Sequence, residues 1–181
     1  MFRTTFTNHV ADPIPQDVHP DTVIKLLHNH DYLITMSPIV THHEELDRDR
    51  ETGKVSYEVY EKLDLLPFGL WKYEIRFTCA FQNKADGVVS YIQAPMGFNS
   101  KADYTIRTAR HDDGEAILNA YENIGSGGTA GTTAMVLDEA IESTCSVLFK
   151  VFVEMTMVPV RRKMHAQVIA KAQEMDRGVE S

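Results

Sequence analysis

The sequence predicts an α+β protein, an antiparallel sheet with its helices gathered on one side. Three observations predict it. Segments that alternate apolar and polar residues with a period of two fill the middle of the chain, a short helical repeat follows the first of them, and residues 143–177 read as one long terminal helix. The order is strand, short helix, about six antiparallel strands, long helix.

Residues 2–10 alternate loosely, with Phe2, Thr4, Phe6 and Asn8 on one face, and Asp12-Pro13-Ile14-Pro15 ends the strand. At 22–30, Val23, Leu26 and Leu27 recur at helical spacing with Asp21 available as N-cap. From Ile39 the period becomes two. Val55, Tyr57 and Val59 alternate with Ser56, Glu58 and Tyr60 after a turn at Thr52-Gly53, which makes a hairpin. The clearest strand is 73–81: Tyr73, Ile75, Phe77, Cys79 and Phe81 form a dry face, and Glu74, Arg76 and Thr78 a wet one. Asp86-Gly87 turns the chain into a strand at 88–94, and Ala102, Tyr104, Ile106 and Thr108 mark another. Residues 111–131 are irregular, with 115–122 open between strand and helix, and 132–142 return to a strand pattern.

The final helix changes character along its length. Val147, Leu148, Phe149, Val151, Phe152, Val153, Met155, Met157 and Val158 leave it apolar nearly all round, which calls for burial on every side. Beyond Pro159 only Met164, Val168 and Ala172 keep an apolar stripe, with Arg161, Arg162, Lys163, Gln167 and Lys171 left for water. A straight rod of this length would measure roughly 50 Å against a radius of gyration of about 16 Å for a chain this size. A kink at Val158-Pro159 is therefore expected.

Composition narrows the partners. The 181 residues are 43% hydrophobic and 24% charged, enough for one sizeable core and one domain, 1–181. A net charge of −8 repels a phosphate backbone, and no basic stripe interleaved with aromatics appears, so no nucleic acid is expected. Cys79 and Cys145 lack C-x-x-C spacing and read as reduced thiols of a cytoplasmic protein. The N-terminus has no export leader, and the apolar run near 147–160 contains Lys150 and Glu154 and falls short of a membrane span.

Ser37-Pro38-Ile39-Val40 after the short helix, the Asp86-Gly87 turn and Met135-Val136-Leu137-Asp138-Glu139 before the apolar helix resemble the START/SRPBCC superfamily of polyketide-cyclase-like and pollen-allergen-like proteins, and within it a fungal branch. The resemblance spans nearly the whole chain. It implies a helix-grip fold, in which a curved antiparallel sheet of about seven strands wraps a long kinked C-terminal helix, and a ligand-binding interior. It carries over no fixed catalytic residues, and residues 125–131 stand as an insertion relative to the pattern.

Candidate chemistry is sparse. On a strand, His42-His43-Glu44-Glu45 places only alternate residues together, so the run reads as a solvated edge, a proton-transfer pair involving His43 or Glu45, or a metal site two ligands short. No metal is expected. Gly125-Ser126-Gly127-Gly128-Thr129-Ala130 fits a loose dinucleotide pattern but lacks the βαβ context, and no nucleotide cofactor is expected. Cys79 lies on a dry face, where thiols are inert packing. Strand parity turns Tyr57, Glu61, Tyr73 and Tyr104 inward with the apolar side chains. Each then meets a partner, water or a ligand, and Glu61 either ends a strand in solvent or is buried with a raised pKa suited to proton transfer.

An apolar strand face paired with a helix too apolar for a surface defines an expected pocket for a hydrophobic small molecule. Tyr57, Glu61 and His43 are its candidate catalytic groups, and Tyr73, Ile75, Phe77, Tyr104, Phe149, Phe152 and Met155 its candidate lining. The resemblance implies a cofactor-independent cyclase or isomerase of specialised metabolism, monomeric or homodimeric, that folds a polyketide or terpenoid intermediate for cyclisation, with a lipid or sterol carrier as the alternative.

Overall fold

The structure is a computed structural model and describes residues 2–64, 72–110, 113 and 134–179. Its strands are β1 (Arg3–Pro13), β2 (Val40–Arg48), β3 (Val55–Asp64), β4 (Lys72–Lys84), β5 (Gly87–Ala94), β6 (Phe98–Thr108) and β7 (Met135–Ser146); its helices are α1 (Pro20–Leu27), α2 (His30–Thr35) and α3 (Lys150–Val179). The glycine run at 125–130 and the open stretch 115–122 lie outside the described residues.

The seven strands form one antiparallel sheet in the order β1-β7-β6-β5-β4-β3-β2. Only the β1–β7 neighbours are distant in sequence, so the sheet is a meander from β2 to β7 with β1 added at its far edge. One face is dry. Phe6 and Val10 of β1, Val59 of β3, Cys79 and Phe81 of β4, Val88 of β5, Tyr104 and Ile106 of β6, and Leu137 and Ile141 of β7 pack with Val23 and Leu27 of α1 and Val168 and Ala172 of α3. This is the helix-grip arrangement, with the sheet's dry face toward the terminal helix.

Several element boundaries differ from expectation. His19, not Asp21, caps α1 by accepting from the Asp21 amide, and Asp21 sits in the first turn, where its charge suits the helix dipole. The chain then makes α2, whose N-terminus is capped by Asn29 accepting from the Tyr32 amide at 3.0 Å. Residues 143–146, expected in the helix, belong to β7: Ser143 and Cys145 face inward and pair across to Phe6 and Thr4 of β1. A single 3-10 turn, Val147–Phe149, separates β7 from α3.

The largest correction concerns where α3 is buried. The 3-10 turn before it leaves Val147 and Leu148, at 86% exposure, on the surface, and its own first half does the same with Val151 and Met155. Burial is concentrated beyond that point, at Met157, Arg161, His165, Val168 and Ala172, a stripe of three- and four-residue steps. The cause is what lies beneath: the later turns are tied to Asp12 of β1 and to His19 and Thr22 at the start of α1, whereas Val153, Thr156, Met157 and Val160 of the earlier turns face a cavity. The helix runs on through Pro159, whose missing N–H removes one intrahelical hydrogen bond at the transition.

The Asp86-Gly87 turn has a steric reason to hold glycine. A Cβ built on Gly87 collides with the carbonyl oxygen of Tyr104 on the neighbouring strand. Gly87→Ala is therefore expected to destabilise the protein by about 3 kcal/mol, near the upper end of ordinary single substitutions. Urea unfolding measures it, and a loss below about 1 kcal/mol would mean that the β5–β6 backbones separate freely.

Candidate functional site

A cavity of about 460 Å³ lies between the sheet and the first half of α3. Its wall is built by strand parity: Val59 and Glu61 of β3, Phe77, Cys79 and Phe81 of β4, Ser90 and Ile92 of β5, and Phe98 and Tyr104 of β6. Leu33, Ile34, Ser37 and Val40 close one side from α2 and the start of β2, and Val153, Thr156, Met157, Val160, Arg161 and Met164 of α3 close the top. Val160 is 55% exposed although it lines the cavity, so the mouth opens beside it. The volume falls in the range of small-molecule sites, and the lining is apolar apart from a few placed polar groups.

Glu61 is the first of those groups. It is half-buried, the Ser37 hydroxyl donates to it at 3.3 Å, and burial raises its carboxyl above the ordinary range against the pull of that hydrogen bond. A carboxyl in this state can hold a proton nearer neutrality and pass it to a bound molecule. Cys79 is pushed up to about 12 by burial, which keeps it a thiol at neutral pH.

The other end of the cavity meets a buried charge cluster. Arg161 donates from Nη1 to the Tyr104 hydroxyl at 2.6 Å and stands 3.3 Å from Glu139, which is fully buried on β7. His165, one turn further along α3, lies 3.2 Å from the other Glu139 oxygen and 2.8 Å from Asp12 of β1. Neither Glu139 oxygen makes a well-shaped hydrogen bond among the described residues, so charge rather than hydrogen-bond geometry holds this carboxylate. Burial raises the pKa of Tyr104 and keeps it a neutral phenol. For Arg161, burial opposes the charge, Tyr104 and Glu139 favour it, and it stays protonated.

His165 gives the cluster a pH signature. Burial lowers its pKa, but Asp12 and Glu139 outweigh burial and hold it above the ordinary value of 6.5. A histidine whose folded pKa is raised contributes stability that is complete below its unfolded pKa and is lost as pH rises through the folded one. Stability should therefore fall as pH rises above 6.5, and His165→Gln should flatten that slope. Urea midpoints across neutral and mildly alkaline pH read it. An equal slope in both proteins would place the titration elsewhere.

The expected site residues divide. Glu61, Phe77 and Tyr104 line the cavity. Ile75 pairs with Glu61 across β3–β4 and is half-buried, beyond the lining. Tyr57 and His43 are not among the residues that line the cavity, although Tyr57 shares the inward parity of Val59 and Glu61. The Tyr57 hydroxyl is 3.1 Å from His30 Nδ1, His30 stacks on Phe81 at 4.8 Å, and His43 is held by Asp31 at 2.9 Å with its ring 6.3 Å from Tyr57. Burial lowers the His30 pKa, which favours its neutral form. Met155 turns away from the cavity at 73% exposure, because two residues on a helix rotate it roughly 200° from buried Met157. The side chains of Tyr73, Phe149 and Phe152 lie outside the described part of the structure. The sequence reading leaves Arg161 to water, names Glu139 only within the Met135–Glu139 run and gives His165 no role, yet all three are buried. Glu139 has the inward parity of Leu137 and Ile141, and Arg161 and His165 fall on the stripe of Met157 and Val168, so a search that admitted charges at buried positions would have found them.

The fold and this cavity define a helix-grip protein with an apolar interior site. Residues 1–174 match the family described as "Domain of unknown function (DUF7053)", and the chain belongs to that family. Two solved structures are similar over nearly their whole length. The crystal structure of Ara h 8.0201 shares 13% identity at a TM-score of 0.51, covering 94% of this chain and 96% of that one. The protein of unknown function SA2116 from Staphylococcus aureus shares 9% identity at a TM-score of 0.52, covering 97% of this chain and 98% of its own. At these identities the likeness is one of fold. No protein of curated function matches the sequence. No described helix is long and apolar enough to cross a membrane.

Proposed function

We propose that residues 1–181 form a single ligand-binding domain that takes a hydrophobic small molecule into the cavity between sheet and helix. The observation that carries this reading is the apolar space of about 460 Å³ with a half-buried carboxyl, Glu61, on its wall. A molecule folded against Val59, Phe77 and Ile92 is held close to one conformation. That restriction alone accelerates an intramolecular cyclisation, including a Diels–Alder cycloaddition, by removing the entropy of reaching the reactive shape. Glu61 adds a proton donor for a carbonyl on the substrate. This is the chemistry of a cofactor-independent cyclase or isomerase acting on a polyketide or terpenoid intermediate in the cytoplasm of a fungal cell.

The test is the product distribution of linear polyene substrates incubated with and without the purified protein. The reading predicts a faster reaction biased to one stereoisomer, and a rate about 100-fold lower in Glu61→Gln where proton transfer contributes. A carrier is the second reading, favoured by the position of Tyr57 and His43 outside the cavity lining. Tight binding with unchanged rate and stereochemistry would select it.

A further inference from the structure

Arg161 is an unusual residue for an apolar pocket. It is only 9% exposed, it lines the cavity, and among the described residues both of its hydrogen bonds, to the Tyr104 hydroxyl and the Met164 sulfur, leave from the single nitrogen Nη1. A guanidinium carries five N–H donors in a fixed fork, so a side chain that bonds from one nitrogen keeps donors for a further acceptor. Glu139 faces Nη1 as well, so among the described residues Nε and Nη2 make no hydrogen bond.

We propose that the ligand is an amphipathic acid, whose carboxylate or comparable oxyanion sits on the free edge of the Arg161 fork while its apolar body fills the cavity. This rests on the pocket reading above and names the class of molecule it takes. Three features place the anion there. The fork matches two carboxylate oxygens side by side. Behind it the Arg162 guanidinium stands 3.1 Å from Asp12, and His165 lies between Asp12 and Glu139, so neither carboxylate faces the cavity without a basic neighbour. The rest of the described lining offers no second cation, since its other polar side chains are Glu61, Ser37, Ser90, Thr156 and Tyr104, so Arg161 is the place where a negative group finds positive charge.

Calorimetric titration of the intact protein at neutral pH with decanoate and with decan-1-ol tests the proposal, because the pair differs in charge and shares its apolar chain. The expected result is binding of both, with decanoate at least tenfold tighter. In the paired variant Arg161→Met with Glu139→Gln, which removes both charges together, the ratio should fall to about 1. Equal affinities in the unaltered protein, a measurement that needs no variant to fold, would overturn the assignment of the acid and leave the apolar cavity standing. A tenfold ratio that survives in the paired variant would equally overturn the role of Arg161. Failure of both molecules to bind would overturn the pocket reading and this proposal together.

Discussion

The variant Val59→Phe with Ile92→Trp should lose hydrophobic ligand by roughly 30- to 100-fold, about 2–3 kcal/mol, while its stability changes little. Both side chains point from neighbouring parts of the sheet into the same space, Val59 from β3 and Ile92 from β5. In a close-packed core such enlargements cost about 1–3 kcal/mol through strain. Here the added rings enter a cavity, so the strain appears only when a ligand competes for the volume. The measurement pairs urea unfolding with titration of decan-1-ol. A large stability loss with unchanged affinity would show that the space closes in solution and that ligand, if bound, sits elsewhere.

The second large effect is expected at the buried ion cluster. Arg161→Met removes the positive neighbour of a carboxylate with no exposed surface, Glu139, and should destabilise by about 3–5 kcal/mol, the cost of a buried charge left without compensation. Adding Glu139→Gln to that background should restore most of the loss, because a neutral amide no longer needs the cation. Non-additivity of this kind is the diagnostic readout of the double-mutant cycle. Additive single and double effects in urea unfolding would mean that Glu139 is stabilised by His165 alone.

These two effects come from regions that differ in how plainly the sequence displays them. Strand parity at Val55, Tyr57 and Val59, and again along Ile75 to Phe81, is a repeat of two residues that one face of a sheet imposes, and it led directly to the meander and to Phe77, Tyr104 and Glu61 on the dry side. The terminal helix was legible as a helix and misleading about burial. Its apolar start promised a core, yet Met155 faces outward, opposite the cavity-lining Met157, and Leu148 lies exposed in the 3-10 turn that precedes the helix. Its charged second half promised a surface, yet Arg161 and His165 are buried because Glu139 and Asp12 meet them from two strands. Hydrophobic periodicity detects a residue by its own character and is blind to a partner more than twenty positions away. The same blindness placed Tyr57 and His43 at the pocket, whereas α2 supplies His30 and Asp31 as their partners.

A binding site between sheet and α3 should hold its ligand through purification. Native mass spectrometry of the 20.5 kDa chain purified from its own source, followed by denaturing release and identification of what comes off, tests it most directly. One small hydrophobic molecule per chain, carrying an acidic group, is the expected result. A bare chain that also takes up neither decanoate nor decan-1-ol when they are added would contradict it.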